Sequence, residues 1–544
     1  MTLVSTPWIA LENVTFRYPH RDCMVLNQVN LTIQEGDFVL VVGPSGSGKS
    51  TLLRTLNGLV PHFSGGRISG KIRVAGYDPI AMGPHRMSPI VGFVQQEPEA
   101  QFVVDTVEDE LAFGMENQGL PQTIMRKRVE EVLDQLGIAH LRHRRITSLS
   151  AGEKQRVAIG SVLTLQPKVL VLDEPTSQLD PQAAEEVLTT LRHLNQDLGL
   201  TIVLSEHRLE RVMQYADHIL YLPSLARQPI LGKVEEVLPQ VPFAPPLIQL
   251  ARAFAWQPMP LTVKEARAFI SQMDLQQVLP HETLQPNPPQ RPGSTHIEAR
   301  DVWFSYNGVE ALRGISLRAG EGDLIALMGR NGSGKTTLLK HLVGLLHPKR
   351  GYVTVHGKDT RNTDVETLIQ YVGYVPQDPN TLLFASTVRQ ELEFTLRAHS
   401  LPLTGLQAWL ERLGLIPLAD LYPRDLSVGQ RQRIALAAIL VADPPTLLLD
   451  EPTRGLDPLE KQALADFLRK QVEQGRTVIL ATHDVELAAE CAHRVVIISE
   501  GQVLVDGPVR EVMSQSLVFA SQVNKLFRNP RLLTVRDVLE AQRQ

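Results

Sequence analysis

Two stretches of this sequence have the residues needed to hold a phosphate. Gly43, Pro44, Ser45, Gly46, Ser47, Gly48, Lys49, Ser50 and Thr51 form one; Gly329, Arg330, Asn331, Gly332, Ser333, Gly334, Lys335, Thr336 and Thr337 form the other. Both satisfy the spacing Gly-x4-Gly-Lys-Ser/Thr. Glycines let the backbone curl until successive N–H groups face one set of phosphate oxygens, and the helix that follows adds positive potential at its N-terminus. Lys49 and Lys335 then reach the β- and γ-phosphates, while the Ser50 and Thr336 hydroxyls can ligate Mg2+. About 120 residues after each loop, an apolar run ends in an acid pair, Asp173-Glu174 and Asp450-Glu451. In each pair the aspartate suits the magnesium side and the glutamate suits activation of water. His207 and His483 follow later apolar runs at matched positions, where an imidazole can hold a γ-phosphate in a transition-state contact.

These side chains need a scaffold that presents them at one edge. Phe38–Val42 and Leu324–Met328 are short apolar runs that end in the glycine loops, and each is followed by a helical stretch, 51–60 and 337–346. Val169–Leu172 and Thr446–Leu449 are buried-strand runs ending in the acids; Thr201–Leu204 and Thr477–Leu480 are two more, each ending near a histidine. Such runs separated by helices predict a largely parallel α/β sheet with ligands at the strand C-terminal ends.

The motifs recur in the same order, so the chain is one unit written twice. Leu261-Thr262-Val263 after the first copy even matches Leu533-Thr534-Val535 after the second. Four prolines in Gln285–Pro292 mark an extended polar linker. The expected layout is a first body 8–235 with an extension 236–275, a linker 276–295, a second body 296–510 and an extension 511–544. The 544 residues are 43% hydrophobic and 21% charged, enough apolar material for more than one core, and 54 Lys+Arg against 59 Asp+Glu leave a charge of −5. That balance argues against nucleic-acid binding through bulk positive charge. With only Cys23 and Cys491, a disulfide framework is excluded and a reducing compartment fits. No apolar run approaches the roughly 20 residues of a membrane-spanning helix, and 1–15 has no secretory pattern. Any action at a membrane is therefore expected as a peripheral subunit.

Leu149-Ser150-Ala151-Gly152-Glu153 and Leu426-Ser427-Val428-Gly429-Gln430 sharpen the reading. They resemble the signature LSGGQ of ATP-binding-cassette (ABC) nucleotide-binding domains, which other P-loop ATPases lack. The resemblance covers nearly the whole chain outside the linker. It implies two tandem P-loop NTPase domains, each a mixed, mainly parallel sheet core with a helical subdomain and a small C-terminal extension. It also implies ATP and Mg2+ as ligands and hydrolysis coupled to transmembrane transport. In that family two domains meet head to tail, so the first loop would share its ATP with Ser427 and Gly429, and the second with Ser150 and Gly152. Tyr18 and Tyr306 match the aromatic that stacks on adenine. Gln96 and Gln377 match the Q-loop glutamine that contacts Mg2+ and water, with Ser50, Thr336, Asp173 and Asp450 as the other metal-side groups. Asp180 and Asp457 match the D-loop aspartate. Ala151, Glu153 and Val428 depart from the signature, but Glu174, His207, Glu451 and His483 are all retained, so two hydrolysing sites are expected.

Within that family, Gln96–Phe102 (QEPEAQF) resembles the energy-coupling-factor (ECF) importers, as do 57–72, Glu174–Pro181 and the tail after each body. The resemblance implies a membrane T-subunit (permease) and a small substrate-binding membrane subunit as partners, at the cytoplasmic face of the cell membrane. The cargo would be a vitamin, a vitamin precursor or a metal ion; thiamine or its hydroxymethylpyrimidine precursor is the family habit. Two alternatives stand beside it: a ribosome-associated ABC-F type ATPase, and the duplicated ATPase of a sugar or peptide importer. Arg126–Arg128 and Arg142–Arg145 are short basic runs of the solvated kind, so no nucleic acid is expected.

Overall fold

Five consecutive apolar residues with no polar face can only be satisfied inside a sheet covered on both sides, and that is where the central strand of each half lies. The computed structural model describes residues 7–19, 23–223, 227–271 and 294–543. They fall into two compact units, drawn from Met1–Ile248 with Gln257–Leu261 and from Gln249–Trp256 with Thr262–Gln544.

The first unit runs through β1 (Ile9–Arg17), β2 (Leu26–Ile33), β3 (Phe38–Val42), β4 (Arg67–Val74), β5 (Val91–Val94), β6 (Val169–Asp173), β7 (Thr201–Ser205), β8 (His218–Tyr221) and β9 (Ile230–Lys233). Its main sheet has the order β5-β6-β7-β3-β8-β9, parallel throughout except for the antiparallel edge strand β9. A smaller antiparallel sheet, β2-β1-β4, covers one face. The core between them joins Ile9, Val14 and Phe16 to Val39, Val41 and Val171.

The second unit repeats the plan with β10 (Thr295–Tyr306), β11 (Val309–Gly320), β12 (Leu324–Met328), β13 (Arg350–Val355), β14 (Lys358–Asp359), β15 (Val372–Val375), β16 (Thr446–Asp450), β17 (Thr477–Ala481), β18 (Arg494–Ser499) and β19 (Gln502–Pro508). Its main sheet is β15-β16-β17-β12-β18-β19 and its cover sheet is β11-β10-β13-β14. A separate helical cluster, built on Leu392, Leu410 and Ile434, forms a subdomain beside the main body. The two α/β units thus have the expected fold class.

Differences from expectation have local causes. The helices after the loops are Lys49–Leu56 and Lys335–Leu342, shorter than the helical stretches 51–60 and 337–346. Gly58 and Gly344 stop them with φ of 79° and 82°, and a Cβ at either would meet Pro79 O or Leu368 Cδ1 at 2.5 Å. The segment 236–275 is divided: 249–256 and 262–271 group with the second unit. There Trp256 stacks between Phe254 and Phe269, with centroids 5.6 and 5.4 Å away, and Arg267 donates to Lys525 O at 2.6 Å. The repeated threonine of the tails is a helix cap. Thr262 Oγ1 accepts from Glu265 N, and Thr534 Oγ1 accepts from Asp537 N. The expected linker 276–295 lies outside the described residues, apart from Ser294 and Thr295 at its end. Cys23 is exposed and Cys491 buried, both as free thiols.

One polar device belongs to the second unit alone. At the strand ends away from the loops, the His296 and His356 rings stack 4.2 Å apart. Thr477 Oγ1 donates to Gly320 O, so His296 Nδ1 must donate to Thr477, and His356 Nε2 pairs with Thr446 Oγ1. Burial, and then the neighbouring His296, push His356 down from 6.5 to about 4. The folded state therefore refuses a proton that the unfolded chain accepts, so stability is full above pH 6.5 and falls as the pH drops toward 4. The ring is only half-buried, and screening holds the loss to on the order of 1 kcal/mol. Thermal unfolding between pH 7 and pH 4 checks this. His356→Asn, which tolerates the φ of 46° at this position, should flatten the slope; an unchanged slope would remove His356 as its source.

Candidate functional site

In the first unit the phosphate loop leaves β3 and enters the helix Lys49–Leu56. Gly43 has no room for a side chain, since a Cβ would lie 2.4 Å from Leu222 O. Gly46 and Gly48 take φ of 78° and 99°, which curls the loop. Lys49 is 6% exposed and folds back across the cradle, its Nζ donating to Gly43 O at 2.8 Å and Pro44 O at 3.2 Å. The second unit matches it: Lys335 Nζ donates to Gly329 O at 2.8 Å and Arg330 O at 3.0 Å.

The acid pairs arrive on the neighbouring strand but one. Asp173 and Asp450 end β6 and β16, and both are buried. Burial pushes Asp173 up, the charge of Glu174 adds to it, and hydrogen bonds from Ser205 and Ser50 oppose both. Asp450 is likewise pushed up by burial, to about 6, with the Thr336 hydroxyl holding it down. The next residues, Glu174 and Glu451, sit at φ of 50° and 49°, left-handed conformations that turn each carboxylate off the strand. His207 Nε2 lies 2.7 Å from Glu174 Oε1, and His483 Nδ1 lies 2.7 Å from Glu451 Oε2. Gln96 Nε2 also donates to Glu174, at 2.8 Å. Each unit thus gathers a loop lysine, a buried acid pair and a histidine at the C-terminal edge of one sheet. That arrangement can bind a triphosphate and present a carboxylate to water beside it.

The remaining expected residues are placed unequally. Gln377 is solvent-exposed, and the bond that Gln96 makes has no counterpart there among the described residues. Tyr18 packs edge-on to Phe16 and its hydroxyl pairs with Thr51 Oγ1 at 3.0 Å, whereas Tyr306 packs on Phe304 and is 44% exposed. Ser150 and Ser427 cap the helices Ala151–Leu163 and Val428–Leu440 in reciprocal capping boxes with Glu153 and Gln430. Glu153 therefore does the job of the usual glutamine. Gly152 and Gly429 are required by close approach as well, since a Cβ would meet Ala183 Cβ at 2.9 Å or Gly455 O at 2.7 Å. Asp180 and Asp457 cap the helices Pro181–Leu198 and Pro458–Glu473 of their own units.

Other residues went unnoticed in the sequence. Glu110 and Glu391, both buried, each accept from two successive backbone N–H groups: Val103 and Val104, and Phe384 and Ala385. They fix the segment that follows Gln96 or Gln377, and the repeated Thr-Val-x-x-Glu at 106–110 and 387–391 was the available signal. Gln101 was noticed, as part of the stretch that resembles the ECF branch, and it is a staple: its Oε1 accepts from Gln95 N, and its Nε2 donates to Ala158 O and Ser161 Oγ on the signature helix. Ser205 and Tyr374 touch the two buried aspartates and are taken up below.

A phosphate cradle, a strand-end acid pair and a signature-capped helix, twice over, define a duplicated nucleotide-hydrolysing protein of the P-loop class. The ABC transporter family model matches residues 26–177 and 312–454, and the chain belongs to that family: it binds ATP and is an ATPase that powers transport. A protein of Streptomyces coelicolor named as an ABC transporter ATP-binding protein is 45% identical, covering 98% of this chain and 100% of its own. A similarly named protein of Methanosarcina acetivorans is 38% identical, covering 98% and 93%. Among solved structures, cbiO1 of Clostridium perfringens, described as part of the ABC transporter complex cbiONQ, is 33% identical over 41% of this chain and 91% of its own, with a TM-score of 0.38. Among the described residues no helix is long and apolar enough to cross a membrane. ATPases of this family typically pair with membrane permease subunits.

Proposed function

We propose that this chain is the ATPase of an ECF-type importer, with two cassettes, 8–235 and 296–510, that hydrolyse ATP at the cytoplasmic face of the membrane. The observation that carries the hydrolytic part is the same in both units: a carboxylate at a left-handed strand end, 2.7 Å from a histidine ring and beside a lysine-spanned glycine loop. In this reading Glu174 and Glu451 take the proton of the attacking water, and His207 and His483 hold them and the γ-phosphate. On the family resemblance, the loop residues Gly43–Thr51 and Gly329–Thr337 and the signature residues Ser150, Gly152, Ser427 and Gly429 contact ATP.

The donors around each loop fit Mg2+. They are hard oxygens, Ser50 and Asp173 or Thr336 and Asp450, and Asp450 Oδ1 is buried with no hydrogen-bond partner among the described residues. When bound, Mg2+ would neutralise charge on the β- and γ-phosphates. Gln96, already on Glu174, would complete the metal side in the first unit, and Gln377 in the second.

The ECF branch is supported by Gln96–Phe102, 57–72 and the matched tails. It names a T-subunit and a small substrate-binding membrane protein as partners, and a vitamin, vitamin precursor or metal ion as cargo. Affinity purification of the full chain from detergent-solubilised membranes tests it. Recovery of those two membrane proteins is expected; recovery of ribosomes, or of a sugar- or peptide-type permease pair, overturns the branch.

A further inference from the structure

Each buried metal-side aspartate has one hydroxyl against it that comes from outside the phosphate loop, and the two units take that hydroxyl from different strands. In the first unit it is Ser205, the last residue of β7, paired in register with Asp173. Ser205 Oγ is fully buried and donates to Asp173 Oδ1 at 2.7 Å while accepting from Glu174 N at 3.0 Å. The matched residue in the second unit is Ala481, paired with Asp450, and it has no hydroxyl to give. There the donor is Tyr374 on the opposite neighbour, β15, whose hydroxyl reaches Asp450 Oδ2 at 3.4 Å. The matched residue in the first unit is Phe93, which again has no hydroxyl. The pair Phe93/Ser205 has been exchanged for Tyr374/Ala481, and each aspartate keeps one such donor besides the loop hydroxyl, Ser50 or Thr336.

We propose that Ser205 and Tyr374 are positioning residues for Asp173 and Asp450, and that their different placement makes the two ATP sites hold a divalent cation unequally. The proposal rests on the Mg2+ reading above. A carboxylate has a broad terminal torsion, so a single hydrogen bond decides which oxygen it presents to a metal. Ser205 occupies Oδ1 of Asp173 and leaves Oδ2. Because Ser205 Oγ also accepts from Glu174 N, the metal-side carboxylate and the backbone of the candidate base share one hydrogen-bonded chain. Tyr374 occupies Oδ2 of Asp450 through a longer contact and leaves the buried Oδ1. Glu451 N bonds Ala481 O at 2.8 Å, as Glu174 N bonds Ser205 O at 3.1 Å, but Ala481 has no hydroxyl to join its two acids. The first site is pinned and coupled; the second is held more loosely. The tighter cation site is assigned to the loop of the first unit.

The test is a titration of the full chain with Mn2+, saturated with the non-hydrolysable β,γ-imido analogue of ATP, with free Mn2+ read by electron paramagnetic resonance. Two classes of site are expected. Ser205→Ala should weaken the tighter class about tenfold, the usual scale for removing an outer-shell hydrogen bond, and Tyr374→Phe should weaken the other. Adding Phe93→Tyr to Ser205→Ala should restore binding to the level of the native second site, which a merely structural loss at position 205 would not do. If Ser205→Ala folds poorly, Tyr374→Phe and its rescue by Ala481→Ser decide alone, as each changes one atom. Isotherms of the single variants that superpose on wild type, or variants that no transplanted hydroxyl rescues, overturn the proposal. Wild-type protein that binds no more Mn2+ with the analogue than without it overturns the Mg2+ reading itself.

Discussion

Replacing Glu174 and Glu451 together by glutamine should abolish steady-state ATP hydrolysis and leave ATP binding in place. Glutamine keeps the size of each side chain and can still meet the histidine at the former 2.7 Å contact, but it cannot accept the proton of an attacking water. Removing a positioned general base typically costs 10²- to 10⁴-fold, and both sites lose it. Folding is not expected to suffer. Each glutamate adjoins a buried aspartate whose acidity its charge already weakens, so neutralising it relieves repulsion. Phosphate release, followed beside a nucleotide-binding titration, gives the answer; hydrolysis within tenfold of wild type would remove these residues as the bases.

Replacing Lys49 and Lys335 by alanine should instead strike binding. Each ammonium is nearly buried and spans its loop through two carbonyls, so its loss removes a charge aimed at the phosphates and the brace that shapes the cradle. A charge-assisted hydrogen bond is worth about 1.5–3 kcal/mol, which corresponds to roughly a 10- to 100-fold fall in ATP affinity at each site. Titration with a fluorescent ATP analogue reads this directly. Each single variant should lose one of two binding events, and undiminished binding by the double variant would separate the lysines from the phosphate site.

Much of this architecture was legible because its signals are local. A glycine loop between an apolar run and a helix, or an acid pair at the end of a buried strand, is specified by a few adjacent residues, and duplication doubled every such signal. Helix ends were less legible, because Gly58 and Gly344 turn left-handed at sites where Pro79 and Leu368, distant in sequence, leave no room for a side chain. Gln101 looked like a mark of the branch, yet its visible task is to tie one loop to the signature helix, a task that needs the fold to be seen. Ser205 and Tyr374 were hidden by the comparison that found everything else. Matching the copies position by position sets Ser205 against alanine and Tyr374 against phenylalanine, so each reads as an unremarkable difference. Only register across β6 and β16 shows that both reach the same carboxylate. The aromatic stack of Phe254, Trp256 and Phe269 was illegible for a similar reason, since chain order places its residues after the first body while they pack within the second unit.

The exchanged hydroxyls also constrain how the gene for this chain can recombine with itself. Two similar cassettes in one reading frame invite gene conversion, in which a short tract of one copy overwrites the other. A tract carrying only the β17 sequence into the first copy would pair Phe93 with alanine and leave Asp173 with the Ser50 hydroxyl alone. The reverse tract would give Asp450 both tyrosine and serine. A tract long enough to carry both strands exchanges one working arrangement for another, so chimaeras that join β5 to β17 should be defective where whole-cassette swaps are not.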